Sequence, residues 1–486
     1  MKIKLAIIST ITLLSEFVSS AAYASTLYEN EKKIAFKANS GTTVEAFEGH
    51  YYVPENRNDS SSRTIRVNYV RFAATGDKKG SPIVYLSGGP GGSGISTAKW
   101  RRFDLFMAMR KYGDVIALDQ RGTGLSQSAP PCVSSVKIEH SKVINQQTVD
   151  ARYQQAAKEC LANWQQQDID IYGYTSVQNA FDINDLRSHL NAEKVTLWGI
   201  SYGSHLAMTA MKYFPEHIDK VIIASAEGLD QTVKLPSETD RYFSKVQAII
   251  DNQALKKQVP DLKGLMKRVH HSLIQKPVML SVTKRDGSSY NLLFQKRHMQ
   301  GLASRMIADP NQYLAMLIKV YQDLEQGQYG LLQHILARGM FANESIEFRL
   351  MPLAMDMASG ITKARLAKVR TQAQSSLLGE ALNFPMPALA LIDEKLDLGD
   401  GFRALFKSDI PTLLLTGSLD GRTYPSEQTQ AVKGFSKLSH VTVENAGHNL
   451  YTASPEVLEV MHTFMQGEKV NKHIIKLPEP NLEFSM

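Results

Sequence analysis

The feature that most narrows the possible folds is a series of short, almost wholly apolar segments separated by helix-length stretches. PIVYLSGG, DVIALDQRG, KVTLWGIS and KVIIASAEG lack the polar alternation of a strand with one wet face, and such runs suit strands of a parallel sheet covered on both sides. Helix-length segments lie between them at Phe103 to Lys111, Val149 to Gln167, Val177 to Asn191 and Gly203 to Phe214, while TIRVNYVRFAA (Thr64 to Ala74) alternates as a half-exposed strand after a polar lead, NSGTTVEAFEGHYYVPENRNDSSSR. Alternating strands and helices predict an α/β layer architecture with a mostly parallel central sheet and helices on both faces. From about Leu229 to Leu405 the rhythm stops, and helix-like stretches such as LKGLMKRVHHSLIQ and NQYLAMLIKVYQDLEQG surround one β-like piece, VMLSVTKRDGSSYNLLF. It resumes with PTLLLTGSLDGRTYP, SHVTVENAGH and a final helix Pro455 to Met465. The expected organisation is a core in two parts, 25–228 and 406–486, interrupted by a mainly helical cap at 229–405.

The first 24 residues differ in kind: a short positive segment MKIK, the apolar run LAIISTITLL, and small residues around Ala22 and Ala24 before Ser25. This is the pattern of a cleavable export signal, and the run is too short for a spanning helix. The expectation is a periplasmic or secreted protein with no stable membrane insertion. In such a compartment the two cysteines, Cys132 and Cys160, are expected to form a disulfide, and no Cys/His spacing suggests a metal. With 43% hydrophobic and 21% charged residues, the composition excludes disordered, collagenous and coiled-coil classes. The net charge of +7 is scattered, and its densest basic stretch, KARLAKVR, reads as one polar helix face, so no nucleic-acid partner is expected.

Three positions combine into a chemical pattern. GISYGS places Ser201 between Gly199 and Gly203, directly after one apolar run and before a helical stretch. A serine on a sharp strand-to-helix turn needs small neighbours, because bulk there would block Oγ. Asp420 closes TGSLD and His448 closes VENAGH, each just past a strand-like run, in the serine, acid, histidine order that a hydrolytic triad on this architecture requires. LSGGPGGSG offers backbone N–H groups at Gly88 and Gly89, and the amide of Tyr202 follows the serine; two such donors stabilise a tetrahedral oxyanion. The glycine loop lacks the Gly-Lys-Ser/Thr ending of a phosphate-binding loop.

GGPGGSG (Gly88 to Gly94), DQRGTGLS (Asp119 to Ser126), GISYGS, TGSLDGRTYP and AGH together resemble the proline iminopeptidase and tripeptidyl aminopeptidase branch of the α/β-hydrolases. The resemblance covers roughly Thr64 to Gly228 and Pro411 to Met465. It implies a serine exopeptidase that releases residues from the free N-terminus of peptides, with a helical cap between the sixth and seventh strands. It further implies Ser201 as nucleophile, Asp420 as acid, His448 as base and the Gly89 and Tyr202 amides as the oxyanion hole. Gly88, Pro90, Asp119, Arg121, Gly199 and Gly203 would then be structural supports. Iminopeptidases carry a histidine where this chain has Ser87, which bears on the subfamily and not on hydrolysis. Cap carboxylates hold the substrate amine in this branch; the candidates here are Glu227, Glu344 and Glu347. No metal or organic cofactor is implied. Two alternative readings stay open: an esterase or small-amide hydrolase of the same fold, and a binding protein without catalysis.

Overall fold

The computed structural model describes residues 27–484, apart from 78 and 391; the export signal expected at 1–24 lies outside them. Its frame is a ten-stranded sheet of β1 (Lys32–Lys37), β2 (Thr43–Pro54), β3 (Thr64–Phe72), β4 (Ile83–Leu86), β5 (Val115–Asp119), β7 (Val195–Ile200), β8 (Ile218–Ala224), β12 (Thr412–Gly417), β13 (Leu438–Glu444) and β14 (Ile474–Lys476), while β6 (Cys132–Lys137), β9 (Val278–Thr283), β10 (Ser289–Phe294) and β11 (Ser345–Phe348) lie outside it. The spatial order is β1-β2-β3-β5-β4-β7-β8-β12-β13-β14. From β5 to β14 every neighbour pair is parallel, whereas β1, β2 and β3 are antiparallel to their neighbours. Every residue of β4, β5, β7 and β12 is buried, which is why these strands read as unbroken apolar runs. The supposed polar lead contains the long strand β2, whose ends alone are exposed loops. Because β1 and β2 extend the edge, the long insertion falls between the seventh and eighth strands of this sheet instead of the sixth and seventh.

Helices cover both faces. Phe103–Met109 and Pro455–Met465 pack on one face with Trp198, Ile222 and Leu415. On the other lie Gln146–Gln166, Ser176–His189 and Tyr202–Tyr213, with Leu197, Ile223 and Leu414. The insertion divides by packing. Pro236–Asp251, Leu262–Gln275, Lys296–Met306 and Ala315–Glu325, with the β9-β10 hairpin, build a separate apolar cluster. The helix Leu350–Ser359 is instead apolar on nearly all sides and joins the cluster of the main sheet. Just before it, β11 pairs antiparallel with β6.

That pairing anchors on a disulfide. Cys132, at the start of β6, is bonded to Cys160 in the helix Gln146–Gln166, with Cα atoms 5.7 Å apart and 28 residues between them in sequence. Closing a loop of this length removes chain entropy worth roughly 3 to 4 kcal/mol from the unfolded state. The double variant Cys132→Ser, Cys160→Ser should therefore lose stability of about that size in urea titration. The two cysteine peptides should appear linked in a non-reduced digest, and two alkylatable thiols in the native protein would contradict the bond.

Candidate active site

Ser201 sits on a turn that only small neighbours permit. It joins β7 to the helix Tyr202–Tyr213 at φ 54°, ψ −128°, a positive-φ conformation that costs energy for a non-glycine residue. The turn survives because the backbones on either side interlock. A Cβ on Gly203 would stand 2.0 Å from Leu86 O, and one on Gly199 would stand 2.5 Å from Gly203 O. Ser201 N–H donates to Ala224 O (3.1 Å), which fixes the turn to the end of β8. The glycine loop after β4 comes over the top, where a Cβ on Gly88 would lie 3.6 Å from Ser201 Oγ.

Asp420 and His448 project from the loops after β12 and β13. Asp420 is fully buried, and both of its oxygens lie 3.1 Å from His448 Nδ1. Oδ1 accepts from the Arg422 and Thr423 amides (2.8 and 2.9 Å), and Oδ2 accepts from Thr423 Oγ1 (2.8 Å) and Gln428 Nε2 (3.3 Å). Burial pushes the Asp420 carboxyl up, but the charge and hydrogen bond of His448, with the Thr423 and Arg422 amides, outweigh it and hold it below the usual range. Because Nδ1 faces the acid, Nε2 is the ring nitrogen left for chemistry. The histidine loop reaches back to the serine: Ser225 Oγ donates to His448 O (2.8 Å), one residue past the Ala224 carbonyl that holds Ser201. The cap closes over both loops, with His448 N–H donating to Ala308 O (2.8 Å) and Ile307 O 2.2 Å from where a Cβ on Gly421 would be.

Two backbone amides flank Ser201. Tyr202 is the first residue of its helix, so its N–H has no intrahelical acceptor, and Gly89 follows Gly88 over Ser201 with φ 132°. The flanking glycine loop is pinned from below. Asp119 Oδ1 accepts from Ser93 Oγ (2.6 Å) and Ile95 N (3.1 Å), and its Oδ2 accepts from Leu125 N (2.7 Å). Burial raises the Asp119 carboxyl despite these bonds. Arg121, also fully buried, grips both oxygens of Asp182 (2.6 and 2.5 Å) and donates to Glu55 O (2.6 Å) and Gly173 O. Ser87 is buried, its carbonyl accepting from Gln120 Nε2 (2.9 Å).

Of the three carboxylates expected to meet a substrate amine, the structure brings one to the serine. Glu227 follows β8; its N–H donates to Ser204 Oγ (2.8 Å), which in turn donates to Ser201 O (2.5 Å), and its carboxylate pairs with Lys234. Glu344 and Glu347 are exposed, Glu344 just before β11 and Glu347 within it, where it pairs with Val133. Asp356 was not foreseen. It lies one helical turn beyond Pro352, whose Cγ would be 2.7 Å from a Cβ on Gly91. Burial first, then the charge of Glu227, push its carboxyl up to about 7 against the pull of Lys234. Thr423 and Gln428, which position Asp420, were also missed; the aspartate with backbone donors two and three residues on is a legible turn signature, but Gln428 reaches back from a later helix. His205 is a buried structural histidine, pushed down to about 4 by desolvation and held by Gly228 O, Ser176 and Ser359.

Residues 81–278 match the family model described as the alpha/beta hydrolase fold, and the sheet order with Ser201, Asp420 and His448 just past the parallel strands β7, β12 and β13 is that architecture. The chain has the α/β-hydrolase fold. Within that class it is similar to serine peptidases: 26% identity over 186 residues to "Serine protease Hip1" of Mycobacterium tuberculosis, covering 37% of this chain and 35% of the relative. It is likewise 26% identical over 187 residues to "Tripeptidyl aminopeptidase" of Streptomyces lividans, covering 36% and 34%. These matches span about a third of each relative's length. Among solved structures, an esterase from Exiguobacterium antarcticum aligns at 14% identity with a TM-score of 0.38, covering 85% of this chain and 98% of that one.

The lowered Asp420 carboxyl has a stability consequence. Its contribution is fully present above the ordinary aspartate value of about 3.9 and is lost as pH falls through its lower folded value. The stability gap between the wild-type protein and Asp420→Asn, read as urea midpoints, should be constant from about pH 5 to 7 and shrink below pH 4. A gap independent of pH would show that the carboxylate's charge is not what the site holds.

Proposed function

We propose that the chain is a serine aminopeptidase, cleaving short pieces from the free N-terminus of peptides. Ser201 Oγ attacks the scissile carbonyl while His448 Nε2 takes its proton. Asp420 holds Nδ1–H and stabilises the imidazolium. The oxyanion is met by the Gly89 and Tyr202 amides, His448 returns the proton to the leaving amine, and water then releases the acyl group. The observation that carries the exopeptidase reading is the carboxylate pair Glu227 and Asp356 beside the elbow. Two acids share one lysine, which leaves a place for a second cation, and a peptide's α-ammonium supplies it. The helix bearing Asp356 and the residues Ile307 and Ala308 roof the site, which favours chain ends over internal segments. The disulfide fits an oxidising compartment, so we place the enzyme outside the cytosol.

Ser201→Ala is expected to fold normally and lose at least a few thousandfold in kcat/KM on a free-amine peptide, as measured by mass-resolved digestion. An N-acetylated twin of the same peptide should be a poor substrate for the wild-type protein. Equal rates on the twins, or a strong preference for short p-nitrophenyl acyl esters, would move the assignment to an esterase. No turnover of either class would leave a binding protein.

The Asp356 carboxyl also sets a pH dependence. Protonated below about pH 7, it no longer attracts an ammonium, so KM for free-amine peptides should rise as pH falls through 7, facing Glu227, Lys234 and Tyr202 as its charged and titratable neighbours. Asp356→Asn should raise KM at pH 8 and flatten that dependence. An unchanged KM profile in the variant would remove Asp356 from the amine site.

A further inference from the structure

The loop that lies over Ser201 has little to hold its tip from within. Gly88 to Gly94 contains five glycines in seven residues, and glycine gives up more backbone freedom on ordering than any other residue. Gly89 and Gly91 stand at φ 132° and 101°, outside the range open to most side chains, so neither position can carry one to pin the tip. The base of the loop is fixed: Gly92 N–H donates to Gly88 O (3.0 Å), while Ser93 Oγ and the Ile95 amide donate to Asp119 (2.6 and 3.1 Å). Between those bonds neither Gly89 nor Gly91 donates a backbone hydrogen bond among the described residues. The Gly89 amide is thereby left open, and the tip that carries it needs support from outside the loop.

That support comes from the insertion. In the helix Leu350–Ser359, Pro352 Cγ lies 2.7 Å from where a Cβ on Gly91 would stand, with Cβ and Cδ of the same ring at 3.7 Å. Met351 meets the neighbouring loop, its Cβ 2.7 Å from the corresponding position of Gly122. One turn further along, Met355 Sδ accepts from Tyr202 Oη (3.0 Å), whose other neighbour is Ser176 Oγ at 3.0 Å. Ser359 Oγ lies 3.1 Å from Nε2 of His205, one turn into the helix that Tyr202 begins. Pro352, Met355 and Ser359 are spaced i, i+3, i+7, which puts them in one stripe of their helix. That stripe meets the glycine loop at one end and the helix behind Ser201 along the rest.

A prop is only as rigid as its own mounting. Leu350, Met351, Leu353, Met355 and Met357 pack into the apolar cluster of the main sheet, and Arg403 Nη1 donates to Ser359 O (3.0 Å) at the far end of the helix. Pro352 occupies the third helical position, where its missing N–H breaks no intrahelical bond. Its ring has no side-chain rotamer freedom to lose when it is pressed against a neighbour. Misplacing a group at a reacting centre by about 1 Å can cost about a hundredfold in rate, so a modest loosening of the loop tip is expected to cost about tenfold.

We propose that Pro352 is a positioning residue for the Ser201 reaction: from the insertion, its ring holds the glycine loop, and with it the Gly89 amide, in register with the Tyr202 amide and the serine. The proposal rests on the serine-hydrolase part of the proposed function and is independent of the peptide specificity. Pro352 touches neither the serine nor the reacting atoms and acts through Gly91. The last part of the insertion is then a working piece of the oxyanion site and not a removable cover.

The test is covalent labelling of Ser201 by an alkyl fluorophosphonate, which requires neither a peptide nor an ester as substrate. Ser201 Oγ forms a bond to phosphorus, fluoride leaves with the electron pair of the P–F bond, and His448 takes the serine proton, while the phosphoryl oxygen draws on the same donors as a tetrahedral carbonyl adduct. Pro352→Ala keeps a good helix former and removes the ring. Its maximal labelling rate should fall about tenfold while the half-saturating probe concentration stays the same, and its melting temperature should stay within about 4 °C of wild type. Pro352→Val, which returns a Cγ to the contact, should recover part of the rate. A Pro352→Ala rate within about twofold of wild type, a loss confined to the half-saturating concentration, or a valine variant no faster than the alanine one overturns the proposal. So does a rate loss that comes with a larger melting drop, which marks a structural role. Wild-type protein that resists the probe overturns the serine-hydrolase reading and this proposal together. Wild-type protein that is labelled but cleaves no peptide overturns the aminopeptidase reading alone, and the labelling rates of the variants still decide the role of Pro352.

Discussion

Everything in the site depends on the close approach of three backbones at the end of β7. The Ser201 turn has a positive φ, and it is held there because Gly203 lies against the Leu86 carbonyl and Gly199 against Gly203 itself. Side chains at either glycine would force these backbones apart. The same contact brings the start of the Tyr202–Tyr213 helix against the glycine loop after β4, so the Ser201 turn and that loop are positioned by one steric constraint. Strain at such a turn is sustained only when the surroundings over-determine it. Here the wholly buried β4, β7 and β8 supply that rigidity.

Polar groups buried around the turn divide into those satisfied and those left open. Arg121 and Asp182 form a bidentate pair whose remaining donors reach the Glu55, Gly173 and Pro54 carbonyls. Asp119 likewise has its oxygens occupied. These networks tie loops together and have no chemistry to spare. Asp356 is different, since it shares the charge of Lys234 with a second acid, Glu227. Under the proposed function, that excess of acid is what a peptide's α-ammonium meets.

The insertion is not one unit energetically. Its first part has an apolar cluster that Leu419 and Tyr424 beside Asp420 join; its last part, from β11 through the helix Leu350–Ser359, is built into the main core and fastened to β6, which the disulfide in turn fastens to a helix of the sheet layer. Asp356 therefore sits on the part of the insertion that is built into the main core.

The local sequence determined the elements whose character depends on near neighbours. Unbroken apolar runs gave the parallel strands because a strand covered on both faces has no reason to alternate, and Gly-x-Ser-x-Gly after such a run marked the elbow because only glycine tolerates the backbone contacts there. Ser201, Asp420 and His448 were legible as strand-end residues in the required order, and the cysteine pair followed from a count of two. The strand β2 was hidden because its polar residues alternate with buried ones and its neighbours in sequence are loops. Only the tertiary structure decided which carboxylates stand beside the serine: Glu227 arrives by following β8, while Asp356 comes from far along the chain on a helix whose burial was set by the main sheet. Glu344 and Glu347 looked equivalent as letters and are exposed. Whether a charged side chain is answered is likewise invisible in sequence, since it depends on what folding brings across from it.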